Sequence, residues 1–412
     1  MDMSTAAEMV TGDSLDEDAF RAKVQAFLQA HASPRTETQP GAESRTDLTQ
    51  SKSFQSALYQ ASLAGLTWPR EYGGQGLPGR YQTLYNNEAA QYDLPTGPFG
   101  IGFGMCMPTV LTHGTDPQKE RFVRPALKGE EIWCQLFSEP SSGSDLASLR
   151  TSVVRDGDEW ILNGQKVWTS GAHYSQYAIL LARSDPNQPK HRGLSMFILD
   201  MGSPGITVRP LRQMTGQAHF NEVFFDDVRI PADRILAEPG DGWRCAITVL
   251  MNERVGVARS SAEKTSRLAP ISTHLKLARS SGLLSDPLIR QDLMDLVVRY
   301  WAADLLGLRQ RQSIAPGGVP GPDGSLNKLG GAILTKRSAK VAARLAGPRS
   351  MAWSDAGSDE ATAVQMLLST PSSSIAGGSN QVMRNILGER VLGLAKEPGI
   401  DPGTPFRDLP YS

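Results

Sequence analysis

Cysteine is scarce in this sequence: Cys106, Cys134 and Cys245 are the only three in 412 residues, and none sits in a CxxC or Cys/His ligand spacing. A disulfide framework and a thiolate zinc centre are therefore excluded, and no metal is expected; free thiols fit a reducing, cytoplasmic setting. An excess of one charge is also missing. With 42 Lys and Arg against 43 Asp and Glu the net charge is −1, which leaves no electrostatic footprint for nucleic acid or anionic lipid. No apolar run reaches the roughly 18 residues that a membrane span needs. The opening MDMSTAAEMVTGDSLDED is acidic and lacks the apolar stretch of a signal peptide.

What is present is globular. At 40% hydrophobic and 21% charged residues the chain can bury cores, and its length calls for two or three packed units. Ser14-Leu15-Asp16-Glu17 has capping-box spacing ahead of Phe20, Val24, Phe27 and Leu28, predicting a helix from about 15 to 30. Further helices are expected over Phe54–Leu66, Arg80–Tyr92 and from Thr109 on, with Asp116-Pro117 as an N-cap and N1 pair. From Thr151 to Arg229 the segments TSVVR, EWILN, YAILLA, LSMFIL, ITVRPL and EVFFDDVRI read as strands. Asp156-Gly157 and Asn163-Gly164 read as tight hairpin turns. Helical periodicity returns after Pro239-Gly240 and runs to about Leu394, interrupted by the Pro/Gly-rich stretch 315–327. The order is α, β, α: an α+β multidomain chain with an N-terminal helical domain (1–129), a middle antiparallel β-domain (130–236) and a C-terminal four-helix bundle (237–412).

Three stretches carry chemistry. Trp133 to Gly171 combines small residues and hydroxyls in SSGSD, where backbone N–H groups can approach an anion, with Trp168-Thr169-Ser170, a flat ring beside two hydroxyls. In the helix opening near Asp241, Ala246, Leu250, Glu253 and Val257 fall four, three and four positions apart, so a carboxylate shares an apolar stripe. On periodicity alone the ordinary reading of Glu253 is an ion-paired residue at the edge of that stripe; the alternative is a desolvated base. The run Ala376-Gly377-Gly378-Ser379-Asn380-Gln381 reads either as a helix cap after a loop or as an anion-favouring helix N-terminus. His113 and His173 lack triad or metal partners and read as solvated or hydrogen-bonded residues; Met105 and Met107 read as core or as the wall of an apolar pocket.

Together these segments resemble the acyl-CoA dehydrogenase family over about 15–395. FSEPSSGSDLASLRT is similar to its flavin-side signature, NGQKVWTSGA to its second signature, FNEVFFDDVRIP to the strand closing the β-domain, and GGSNQVMRNILGERVLGL to the C-terminal helix that reaches flavin. The likeness extends to the actinobacterial FadE-like branch, some of whose members act on steroid side-chain thioesters. The resemblance implies FAD between the β-domain and the C-terminal helices, bound by Phe137, Ser138, Gly143, Ser144, Trp168, Thr169, Ser170, Arg279, Ser379 and Gln381. Many members carry their base in a C-terminal Tyr-Glu-Gly-Thr motif, but Gly377 stands at that glutamate's position. Leu250-Met251-Asn252-Glu253-Arg254 instead resembles the Leu-x-x-Glu-Arg motif of the isovaleryl and long-chain types, which implies Glu253 as base and the Gly377 N–H as a thioester-oxygen donor.

The implied reaction is α,β-dehydrogenation of an acyl-CoA to a trans-2-enoyl-CoA, with electron-transfer flavoprotein as acceptor. Glycine at the second base position favours a branched or bulky acyl group. Two family elements are altered: Arg279-Ser280-Ser281-Gly282 lacks the aromatic of Arg-x-x-Phe-Gly, and no Gln-x-x-Gly-Gly is recognisable between Leu345 and Ser379. The expectation is therefore a homodimer or homotetramer with altered adenosine contacts, or an α2β2 heteromer with a related chain. Two other functions stay open at this level: a non-catalytic subunit that supports a partner's site, and a flavin-dependent relative acting on a non-thioester substrate.

Overall fold

The computed structural model describes residues 16–35, 47–262, 271–313, 321–351 and 358–410. Helix α1 (Glu17–His31) buries Phe20, Val24, Phe27 and Leu28. Its cap is Asp16, whose side chain accepts from the Asp18 N–H; Ser14 of the expected capping box lies outside the described residues. Two-residue strands β1 (Ser33–Pro34) and β2 (Tyr92–Asp93) pair across α2 (Leu48–Gln60) and α3 (Gly79–Ala89). The second helix both starts and stops earlier than Phe54–Leu66, because Asp47 caps it by accepting from the Gln50 N–H. A π-helical turn at Gly102–Cys106 leads into α4 (Met107–His113). Before α5 (Asp116–Leu127) the cap is Thr115, boxed with Gln118, and Asp116 is the first helical residue.

The middle of the chain is one sheet. Its strands are β3 (Trp133–Leu136), β4 (Ser152–Asp156), β5 (Glu159–Ser170), β6 (Tyr177–Arg183), β7 (Leu194–Asp200), β8 (Ile206–Leu211), β9 (Phe220–Pro231) and β10 (Ile235–Leu236). They run in the order β10-β7-β6-β4-β5-β9-β8, with β3 beside β6. The sheet is mixed where a purely antiparallel one was expected, since β3 and β4 both meet β6 in parallel. Strand β6 is buried on both faces. Ile179 and Leu181 face the core shared with the N-terminal helices, while Ala178, Leu180 and Ala182 face the outer core. Two-sided burial explains why YAILLA reads as a continuous apolar run.

Asp156-Gly157 makes the β4–β5 hairpin, with Gly157 at φ +57°. Asn163-Gly164 does not turn the chain. It lies inside β5 at a register shift against β9, where Gly164 at φ +143° lets the Thr151 backbone pass at a distance that a Cβ, only 2.8 Å from Thr151 Cα, would block. The Asn163 amide is used sideways, donating to Asp227 Oδ1 at 2.8 Å.

Helix α6 (Gly242–Ala262) starts in the first core through Cys245, Ala246 and Val249 and carries Glu253 toward the bundle. The bundle is α7 (Ser272–Ser280), α8 (Pro287–Ser313), α9 (Gly324–Ala346), α10 (Asp359–Ser373) and the short α11 (Asn380–Ile386). Helix α9 already begins at Gly324, inside the stretch 315–327 expected to be non-helical. Leu277, Leu293, Leu296, Leu334, Val341, Leu345 and Ala363 fill its core. All three cysteines are buried and free.

Candidate active site

The flavin-side signature is held by a buried ion pair. Lys166 Nζ, wholly buried on β5, donates to Phe137 O at 2.8 Å and to Glu139 Oε1 at 2.9 Å. Glu139 also accepts from the Arg150 N–H (2.6 Å) and the Thr151 N–H (2.9 Å). Burial is the largest influence on both groups, and they answer it oppositely. The Glu139 carboxyl has an ammonium and two N–H donors, which outweigh burial and hold it below the ordinary carboxylate range. Lys166 has one countercharge, and burial draws it down to about 8. At neutral pH the pair is ionised. It ties Phe137-Ser138-Glu139 to β5, and the Val167 N–H donating to Ser138 O at 2.9 Å completes the tie. Sequence reasoning passed over both residues of this pair; the signal was a Lys and a Glu inside two otherwise apolar or small-residue motifs.

Next along β5, Trp168 is 56% exposed and has φ +61°, at a second register shift against β9. A bulky residue in left-handed backbone is costly and is kept where the surroundings enforce it. The bulge turns the ring outward, edge-on to Phe220. Thr169 is buried, and its hydroxyl has no hydrogen-bond partner among the described residues. Gly143 and Ser144 are exposed, with open space around the Gly143 α-carbon. An exposed flat ring, an orphaned buried hydroxyl and an open Gly-Ser loop fit a ring-plus-phosphate cofactor such as FAD.

The second cluster is in the bundle. Gly377 and Gly378 have φ +65° and +94°. Among the described residues, a Cβ built on Gly377 would meet Glu253 Oε1 alone, at 3.6 Å. The fold thus faces the α6 carboxylate with the bare α-carbon that replaces a second one. Lys328 of α9 joins them by donating to Gly378 O. Sequence reasoning missed this lysine, because nothing in its local spacing marks it.

The remaining candidates are placed less centrally. Ser379 caps α11 by accepting from the Val382 N–H at 3.3 Å, and Gln381 is exposed. Arg279 is exposed at the end of α7. Gln365 of α10 links the bundle to the sheet domain by donating to Thr215 O of the loop before β9 at 3.3 Å. His113 bonds Thr248 (2.8 Å) and His173 bonds Asn221 (3.2 Å), consistent with structural roles. Among the described residues no group of His, Cys, Asp or Glu could hold a metal ion, and no helix is long and apolar enough to cross a membrane.

A helical domain, a sheet domain and a helical bundle that brings a carboxylate to a double-glycine turn define a flavoprotein oxidoreductase class, and comparison with known proteins identifies it. The descriptions "Acyl-CoA dehydrogenase" N-terminal, middle and C-terminal domain match residues 14–130, 134–228 and 240–392. Acyl-CoA dehydrogenase IpdE1 of Mycobacterium tuberculosis is 37% identical over 393 residues, 93% of this chain and 99% of that protein. The solved Tcur3481-Tcur3483 steroid ACAD superposes with a TM-score of 0.76 at 26% identity, covering 96% of this chain and 100% of that one. The ChsE4-ChsE5 complex from Mycobacterium tuberculosis gives 0.72 at 26% identity, covering 95% and 100%. The chain belongs to the acyl-CoA dehydrogenase family, enzymes that oxidise CH–CH bonds and that typically bind FAD.

Proposed function

We propose that this chain binds FAD and dehydrogenates a bulky acyl-CoA between its α and β carbons, with Glu253 as the base. The observation that carries the reading is the Glu253 carboxylate facing the side-chain-free Gly377. A thioester α-proton is weakly acidic, so removing it needs a carboxylate within reach and a donor on the carbonyl oxygen. Glu253 takes the proton, and the Gly377 N–H holds the oxygen. When bound, FAD supplies the hydride acceptor at the β-carbon. The chain's part in holding it falls to Phe137, Ser138, Gly143, Ser144, Trp168, Thr169 and Ser170 on the β side, and to Ser379 and Gln381 on the bundle side, with Arg279 reserved for a neighbouring subunit's cofactor.

The space left by Gly377 supports a branched or polycyclic acyl group, in keeping with relatives described as steroid enzymes. Domain limits at 1–129, 130–236 and 237–412 belong to the same reading, as does electron-transfer flavoprotein as acceptor. Helix α8 supports an assembly: Met294, Val298, Trp301, Leu305 and Leu308 are 43–62% exposed, at spacings of four and three that line one face. The covering subunit is either a second copy or a related chain.

The test is anaerobic bleaching of the purified holoenzyme with isovaleryl-, octanoyl-, palmitoyl- and cholyl-CoA, wild type beside Glu253→Gln. Loss of a carboxylate base costs on the order of a hundredfold to ten-thousandfold in flavin reduction. Bleaching that survives the substitution removes Glu253 as base; a protein without flavin, even with candidate partner chains, removes the dehydrogenase reading.

A further inference from the structure

The double-glycine turn opposite Glu253 is soft by composition, since glycine adopts positive φ at no steric cost and gains no rigidity from a side chain. It is nevertheless pinned at both ends. Ahead of it the Ala376 N–H bonds Ser372 O at 2.8 Å, and beyond it the Asn380 N–H bonds Ser374 O at 3.0 Å. At its centre the Gly378 carbonyl accepts from Lys328 Nζ, which reaches over from α9. This bond fixes the peptide following Gly378, and through two adjacent backbone units it fixes the α-carbon of Gly377 against Glu253 Oε1.

The same ammonium serves the carboxylate electrically. Burial pulls Lys328 below the ordinary lysine value, and Glu253 is the charged group that opposes this. Several charged side chains on the helices packed against α9 are engaged elsewhere. Asp292 and Asp295 of α8 pair with Arg337 and Arg344 of α9, Arg299 pairs with Asp295 on its own helix, Lys276 of α7 pairs with Asp359, and Glu360 of α10 pairs with Arg349. On α7, His274 bonds Ser338 and Arg279 is exposed; Arg384 of α11 lines a basic cavity with Lys336, Lys340 and the Ser374 and Asn380 that pin the turn.

We propose that Lys328 is a positioning residue for proton abstraction: its ammonium clamps the Gly377-Gly378 turn through the Gly378 carbonyl and stands as countercharge to Glu253. The proposal rests on Glu253 being the base. It assigns one side chain two linked tasks, holding the thioester-facing turn and keeping the carboxylate ionised in a partly buried setting. A lysine suits both, because its long stem carries a point charge with three donors.

The experiment is the pH dependence of anaerobic flavin reduction in the holoenzyme, using whichever of the four thioesters bleaches wild type fastest. Wild type, Lys328→Met, Lys328→Arg and Glu253→Gln are compared, with flavin content and thermal midpoint recorded for each. A nearby cation favours the ionised carboxylate, so removing it moves the acid limb of the rate to higher pH, by on the order of one unit. Below the limb this appears as a rate about tenfold lower. Lys328→Arg returns the limb toward wild type. A Lys328→Met enzyme that loses rate equally at every pH, with its limb unmoved, overturns the countercharge role while leaving Glu253 as base. Bleaching retained by Glu253→Gln removes the base itself, so the two failures are told apart.

Discussion

Glu253 Oε1 stands 3.6 Å from where a β-carbon on Gly377 would be. Glu253 lies on α6 and Gly377 in the turn between α10 and α11, and under the proposed reaction the space beside them takes the thioester. A methyl there would be in ordinary contact with the carboxylate, not in collision, so it is the backbone's positive φ, and not Glu253, that asks for a glycine. Gly377→Ala forces left-handed φ on a residue with a Cβ, costing about 1–2 kcal/mol, and places a methyl in the thioester's space. We expect a lower thermal midpoint and flavin reduction slowed by on the order of tenfold to a hundredfold, read by melting curves and stopped-flow bleaching; an unchanged rate would show that substrate does not occupy this gap.

Lys166→Met leaves Glu139 buried and without its cation, which costs about 3–5 kcal/mol. The pH dependence has a definite sign. Lys166 titrates at about 8 in the fold and near about 10.4 in an unfolded chain, so between those values the unfolded state binds the extra proton and stability from this group rises with pH. Thermal unfolding at successive pH values should show the gap between wild type and Lys166→Met widening from pH 8 to 10. A gap that narrows there would mean that Lys166 is not held by burial.

Trp168 is exposed, so its ring contributes little to the flavin-free fold. Trp168→Ala is expected to leave the melting temperature of the flavin-free protein within the range of a surface change, about 0.5 kcal/mol. It should weaken flavin retention by up to roughly tenfold, the worth of an aromatic stack, while Trp168→Phe keeps most of it. Fluorescence titration of flavin release measures this. Equal retention by all three proteins would place the ring away from the cofactor.

The α8 stripe predicts assembly. Val298→Glu with Leu305→Glu puts two charges on a face whose residues are 60% and 62% exposed in the isolated chain. Light scattering after size exclusion should find wild type, alone or with a related chain, larger than one protomer and the variant dissociated. Flavin stoichiometry on the same samples distinguishes the two assemblies, because one FAD per chain in a stable homo-oligomer excludes the heteromer.

Much of this protein was legible in its sequence because the deciding features are local. Apolar spacing marks α1 through Phe20, Val24, Phe27 and Leu28, and β-branched runs mark the sheet. Asp156-Gly157 turns the chain because positive φ at a glycine is a property of two residues. The same signal misled at Asn163-Gly164, where pairing with β9 and the close passage of Thr151 convert a turn into a bulge. Helix caps shifted by a residue or more wherever competing donors and acceptors lay nearby, as at Asp16 and Thr115.

The family resemblance in the sequence already linked the glycine at 377, where many members carry a glutamate, to the carboxylate at Glu253. Only the tertiary structure set them face to face, because contact between helices depends on how bundles pack and not on spacing along either helix. The same holds for Lys166 with Glu139 and for Lys328 with Gly378. A charged side chain earns its role from the partner that burial forces on it, and that partner is chosen by the fold.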